Sequence, residues 1–192
     1  MFGAWTEYAG RGEALFADGE ILAAYSRVGG YVVGDESTDN GCAMADVLAD
    51  ARATGLTDVD GKVHKVAGFA SFGNPADEQL LGQVLDVFGS VYVGINCQAS
   101  ILTEFSAGQP WTWTPGEAVE GGHAICLQRR RGAGPAPLEY VTWGALQAAT
   151  AGFQANAAEE AWAVVTEDWV RANGTSVAGL DLRQMLADMA GV

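Results

Sequence analysis

The spacing of apolar residues changes character part-way along the chain, and that change restricts the fold more than any other feature. In the first half, apolar side chains recur every three or four residues. They do so at Ile21, Leu22, Tyr25 and Val28, then at Met44, Val47, Leu48 and Ala51, then at Leu80, Leu81, Val84, Leu85 and Phe88. This spacing puts one apolar face on a helix. Glycine closes each run, at Gly29-Gly30, Gly55 and Gly89, as expected where a helix ends in a left-handed residue. Asn74-Pro75 predicts the start of the third helix, because Pro suits a first helical turn and Asn can cap it. Met1–Ala9 also reads as helix, and Val63–Phe72 as a strand.

From Ser90 onward the runs shorten. Ser90–Cys97, Gly122–Leu127, Leu138–Trp143 and Trp162–Val165 are predicted strands, the second and third forming a hairpin across the turn Arg129–Pro137. Residues 98–121, with Pro110, Trp111, Trp113 and Pro115, are predicted as a long surface loop. Ala145–Ala158 favours helix, and Leu182–Met189 forms a terminal amphipathic helix. Helices first and antiparallel strands later predict an α+β fold, with a helical half packed on a sheet half. No repeat and no linker-like shift in composition interrupts the 192 residues, so a single domain over 1–192 is expected.

Charge narrows the partners. Ten Lys and Arg face 24 Asp and Glu, a formal net charge of −14. A protein that neutralises phosphates needs a positive surface, and only Arg129-Arg130-Arg131 offers one. The balance argues against nucleic acid and anionic membranes, and it suits contact with basic patches of other proteins. An Ala-, Gly- and Val-rich host composition is the plainer account of it. No apolar run approaches the roughly 18 residues of a membrane span. The start, Met1-Phe2-Gly3-Ala4-Trp5, lacks the basic-then-apolar pattern of a signal peptide. Three cysteines, at 42, 97 and 126, make an odd set without regular spacing, which argues against a disulfide scaffold. His64 and His123 are the only histidines, and no CxxC or HxxxH occurs, so neither a metal nor a cofactor is expected.

Few residues carry a signal for chemistry. His123 enters an apolar strand behind Gly121-Gly122, where its ring can face a cleft and act as a general base. A satisfied histidine in a half-buried strand fits the same spacing. Cys42 falls at the expected start of the Gly41–Thr54 helix, where amide groups and the macrodipole lower a thiol's pKa. Asp39 and Asp46 oppose that effect, and a small buried residue is the plainer reading. Cys97 and Cys126 lie in apolar strands and read as inert core. Asp58-Val59-Asp60-Gly61 is only a fragment of a calcium loop. No GxGxxG, Walker or G-x-S-x-G motif is present.

Several segments, taken in order, resemble the papain-like cysteine peptidase superfamily, most closely a small actinobacterial and phage branch. They are Trp5-Thr6-Glu7-Tyr8-Ala9-Gly10, Ile21-Leu22-Ala23-Ala24-Tyr25, Asp39-Asn40-Gly41 with the helix to Thr54-Gly55-Leu56, Val91-Tyr92-Val93-Gly94-Ile95, Gly121-Gly122-His123-Ala124, and Val141-Thr142-Trp143-Gly144-Ala145-Leu146. The resemblance implies a papain-like fold, with His123 in the general-base position. It implies that Met1 falls inside the long central helix, so the segment with the oxyanion-hole Gln and nucleophilic Cys is missing from an N-terminally shortened domain. It places Val141 where an Asn orients the histidine, and a valine accepts no hydrogen bond from an imidazole.

The expectation is therefore a catalytically inactive papain-like domain, with no catalytic residue beyond the remnant His123. The branch's phage members imply a structural or interaction role in a virion, as a capsid decoration or minor head-tail protein. Its partners would be capsid or head-tail proteins, and its place the virion or host cytoplasm. Trp111 and Trp113 would be the binding residues, because exposed aromatics anchor interfaces; a loop folded over the core is the other reading. The rival expectation is an active cysteine peptidase or amidase, with His123 served by Cys42 or by an unrecorded upstream Cys. A third is a binding protein that uses the old substrate cleft.

Overall fold

The computed structural model describes residues 2–8, 12–132, 134–172, 174–176 and 178–190. It is an α+β fold. The elements run α1 (Phe2–Tyr8), α2 (Asp18–Gly29), α3 (Met44–Ala53), β1 (Leu56–Thr57), β2 (Val63–His64), β3 (Val66–Ser71), α4 (Glu78–Phe88), β4 (Val91–Gln98) and α5 (Ser100–Ser106). They continue with β5 (Val119–Arg130), β6 (Leu138–Thr142), β7 (Ala145–Ala149), α6 (Ala151–Ala157), β8 (Ala158–Thr166), α7 (Glu167–Ala172) and α8 (Leu182–Ala190). The main sheet has the order β3-β8-β4-β5-β6-β7, and β1 and β2 form a separate antiparallel pair. Among the described residues no helix is long and apolar enough to cross a membrane.

The chain divides into two compact units. The first comprises Met1–Phe69, Val165–Ser176 and Leu180–Val192. Phe2, Met44, Leu48, Ala51, Val66, Trp169 and Leu182 are buried in it. Met44, Leu48 and Ala51 are the a/d-like positions of α3, so the helical spacing correctly marks the buried face. The helix ends where Gly55 turns the chain at φ +81°, and a Cβ there would lie 2.5 Å from the His64 carbonyl oxygen. Gly55→Ala is expected to cost about 2–3 kcal/mol, from left-handed strain and overpacking together, read as a lowered urea midpoint. In α2 the spacing misleads, since none of its residues is buried.

The second unit, Ala70–Val164 with Val177–Gly179, holds the larger core. Leu81 and Leu85 of α4, Ile101 of α5 and Phe153 and Ala157 of α6 pack with Val91, Val93, Ile95, Ile125, Leu127, Leu138 and Tyr140 from β4, β5 and β6. Side chains alternate between faces along a strand, so these strand residues define a core face. Each large side chain buried this way contributes about 1.5–3 kcal/mol.

The structure departs from the sequence reading in three places. Ala145–Ala149 is a strand, because the two-residue turn Trp143-Gly144 brings it back along β6 in a five-pair register from Thr142↔Ala145 to Leu138↔Ala149. Pairing outweighs alanine's helix preference, and the helix starts only at Ala151, with the Thr150 hydroxyl accepting from the Phe153 amide. The α4 cap is Asp77, whose carboxylate accepts from the amides of Gln79 and Leu80, whereas Asn74 closes the preceding turn on the Ala76 amide. The stretch 98–121 contains α5 and the start of β5 as well as loop.

Candidate functional site

The β6–β7 hairpin carries the one strained residue among those described. Trp143 sits at φ 44° and is the only non-glycine with positive φ there; Gly144 follows at 73°. Two successive left-handed residues match the twist of a tight hairpin, where Asn-Gly is the usual pair. A tryptophan in that position costs about 1–2 kcal/mol. Its ring contacts offset the cost. The indole stacks on the His123 imidazole at 4.8 Å and 18°, and meets Phe105 and Trp111 edge-on at 4.9 and 5.8 Å. Such pairs are worth about 0.5–1.5 kcal/mol each, and strain that persists in this way marks functional positions more often than others.

His123 lies on β5 directly opposite Ile95 of β4, so it points to the core face. Its Nε2 is hydrogen-bonded to the Thr142 hydroxyl at 2.7 Å. Burial pushes the ring below the usual histidine range, so it is neutral at pH 7. The orienting partner is therefore Thr142, one residue beyond the valine that the family resemblance indicated. Val141 pairs with Cys126 and Leu146 on the opposite face, where it cannot meet the imidazole. Period-2 alternation through the core residues Leu138 and Tyr140 points to Thr142, and that signal was present in the sequence.

Cys97 and Cys126 lie in strands β4 and β5, as expected, but Cys42 is placed differently from expectation. Cys42 precedes α3, whose first residue is Met44 and whose cap is Ala43, so the thiol stands outside the helix turn that was to acidify it. It packs against Gly29, and its sulfur lies 3.9 Å from the Tyr25 carbonyl oxygen. Burial raises its pKa, and the charges of Asp39 and Asp46 add to the rise. Cys42 belongs to the first unit and His123 to the second. Cys97 shares the core face with His123 as its diagonal neighbour, through the pairs Ile95↔His123 and Cys97↔Gly121. Sequence reasoning did not connect these two. Burial pushes the Cys97 thiol up to about 11. Cys126 is buried on the opposite face, across from Val141. Among the described residues, no hydrogen bond joins Cys97 or Cys126 to the imidazole.

Trp111 is not a surface anchor. It is fully buried: its indole N–H donates to the Ile101 carbonyl at 2.9 Å, and its backbone bridges Ala148 and Thr150. The loop folds over the core because a ring this large gains more from burial than from exposure. Trp113 is half-buried against the same core.

A second polar cluster, missed in the sequence, lies in the first unit. The buried His64 ring reaches Asp168 through Nδ1 at 2.5 Å and Asp58 through Nε2 at 2.8 Å, and Lys62 donates to Asp168 at 2.6 Å. The supposed calcium-loop fragment is the β1–β2 turn, in which the Asp58 carboxylate accepts from the amides of Asp60 and Lys62. Rings of Phe2 and Phe16 cover the imidazole. Among the described residues no group of three or more His, Cys, Asp or Glu is arranged to hold a metal ion.

No protein-family model matches the chain, and no curated protein is detectably similar to it.

Proposed function

We propose that this chain is a papain-like domain without peptidase activity, serving as an interaction module among other proteins. The observation that carries the reading is the state of the sulfurs. Cys42 and Cys97 are both held as thiols by burial, and neither they nor Cys126 share a hydrogen bond with the neutral imidazole of His123 among the described residues. A thiolate, not a thiol, is the nucleophile. The virion setting, as a capsid decoration or head-tail component, rests on the family resemblance alone, and the charge of −14 suits a shell with basic patches.

A working cysteine hydrolase is the second reading, and the Thr142–His123–Trp143 arrangement favours it. In the tautomer with Nε2–H donating to Thr142, Nδ1 carries the lone pair of a base held in place on both ring face and edge. Labelling with an iodoacetamide probe, mapped by mass spectrometry, separates the two. Slow labelling of all three cysteines, unchanged in His123→Ala, is expected of the module. Rapid labelling of one cysteine that collapses in His123→Ala would establish the hydrolase.

A further inference from the structure

Two exposed apolar surfaces on this chain carry opposite charge, and we propose that they bind each other between copies, head to tail. The first is the outer face of the β5–β6–β7 end of the sheet. Val141 and Leu146 stand directly opposite one another there, 39% and 59% exposed. Glu139, two residues before Val141, shares that face. Its buried carboxylate accepts from Arg131 at 2.5 Å and pairs with Arg129 at 3.4 Å. One carboxylate balances one guanidinium, so this end of the patch keeps a surplus positive charge in a chain of net −14.

The second surface is α2. Asp18, Ile21 and Leu22 occupy positions i, i+3 and i+4, which share a helix face. Ile21 and Leu22 are 46% and 40% exposed, and no residue of the helix is buried. Exposed Asp18 puts a negative charge at one end of the apolar pair. An apolar pair flanked by arginine thus has its complement in an apolar pair flanked by aspartate. The surfaces differ, so the contact is heterologous and propagates into a ring or filament. A 12-residue helix spans about 18 Å, which limits the contact to the small, weak class. Net repulsion between copies is screened beyond about 8 Å at physiological salt, while charge pairs in contact persist. The inference holds whether or not His123 is catalytic.

Sedimentation of the full chain in 0.15 M salt with reductant tests it. Wild type should show a mass that rises with concentration. Leu22→Asp and Leu146→Asp, both at exposed sites and checked for unchanged circular dichroism, should each remain monomeric. Mixing the two should restore a 1:1 dimer and nothing larger, because each keeps the surface the other lacks. Arg131→Glu should weaken association of wild type on its own, which gives a second readout if either Asp variant misfolds. A wild type that stays monomeric to about 1 mM, a single variant that still associates, or a mixture that fails to pair would each overturn the proposal.

Discussion

His64→Leu will cost the chain about 3–5 kcal/mol of stability at pH 7, the range for removing one member of a buried charged network. The ring bridges Asp58 and Asp168, residues 104 positions apart along the chain in the case of Asp168. Leucine fills the space among Phe2 and Phe16 but offers no N–H. Asp168, buried, keeps Lys62 and loses the imidazole. The Lys62 ammonium is far more exposed, so Lys62→Met should cost no more than about 1 kcal/mol. Urea midpoints measure both, and a loss below about 1 kcal/mol for His64→Leu would show that the cluster adds nothing net.

The same cluster sets an acid limit. The His64 hydrogen bond holds the Asp58 carboxyl below its ordinary range. Burial alone would raise Asp168, but Lys62 and His64 outweigh it and hold that carboxyl low as well. Depressed carboxyls contribute stability that is complete above the unfolded value of about 3.9 and lost as pH falls through the folded values. The gap between wild type and His64→Leu should therefore be full at pH 7 and narrow below about pH 4.

Trp111→Ala should also cost about 3–5 kcal/mol, the usual penalty for emptying a fully buried tryptophan site. The ring packs against Tyr140, Trp143 and Phe153 at centroid distances of 6.4, 5.8 and 5.2 Å, and its N–H is bonded to Ile101. Truncation leaves a cavity and removes the hydrogen bond to Ile101. An interface anchor behaves oppositely: its loss weakens binding and leaves the urea midpoint in place. The His123 titration gives an independent readout. Removing Trp111 loosens Trp143 and admits water to the imidazole, so the histidine's pKa, now lowered by burial, should rise toward about 6.5. Proton NMR of the ring follows it directly.

The sequence alone was sufficient for those parts of the molecule whose causes are local. The helical spacing of Met44, Leu48 and Ala51 and the terminal helix at Leu182 formed where expected, as did the hairpin of β5 and β6. The α+β class follows from their order, because periodicity and glycine stops act within a few residues. His123 was legible as a placed ring for the same reason. Tertiary structure decided everything that depends on a partner outside the segment itself. Pairing with β6 made Ala145–Ala149 a strand, and the core took Trp111 from the surface. Which face each strand turned to the core chose Thr142 over Val141 and set Cys97 beside His123. The His64 cluster joins β2, the β1–β2 turn and α7, which no local pattern connects. Burial and pairing act between neighbours in space, so their outcome is fixed only once the chain has closed on itself.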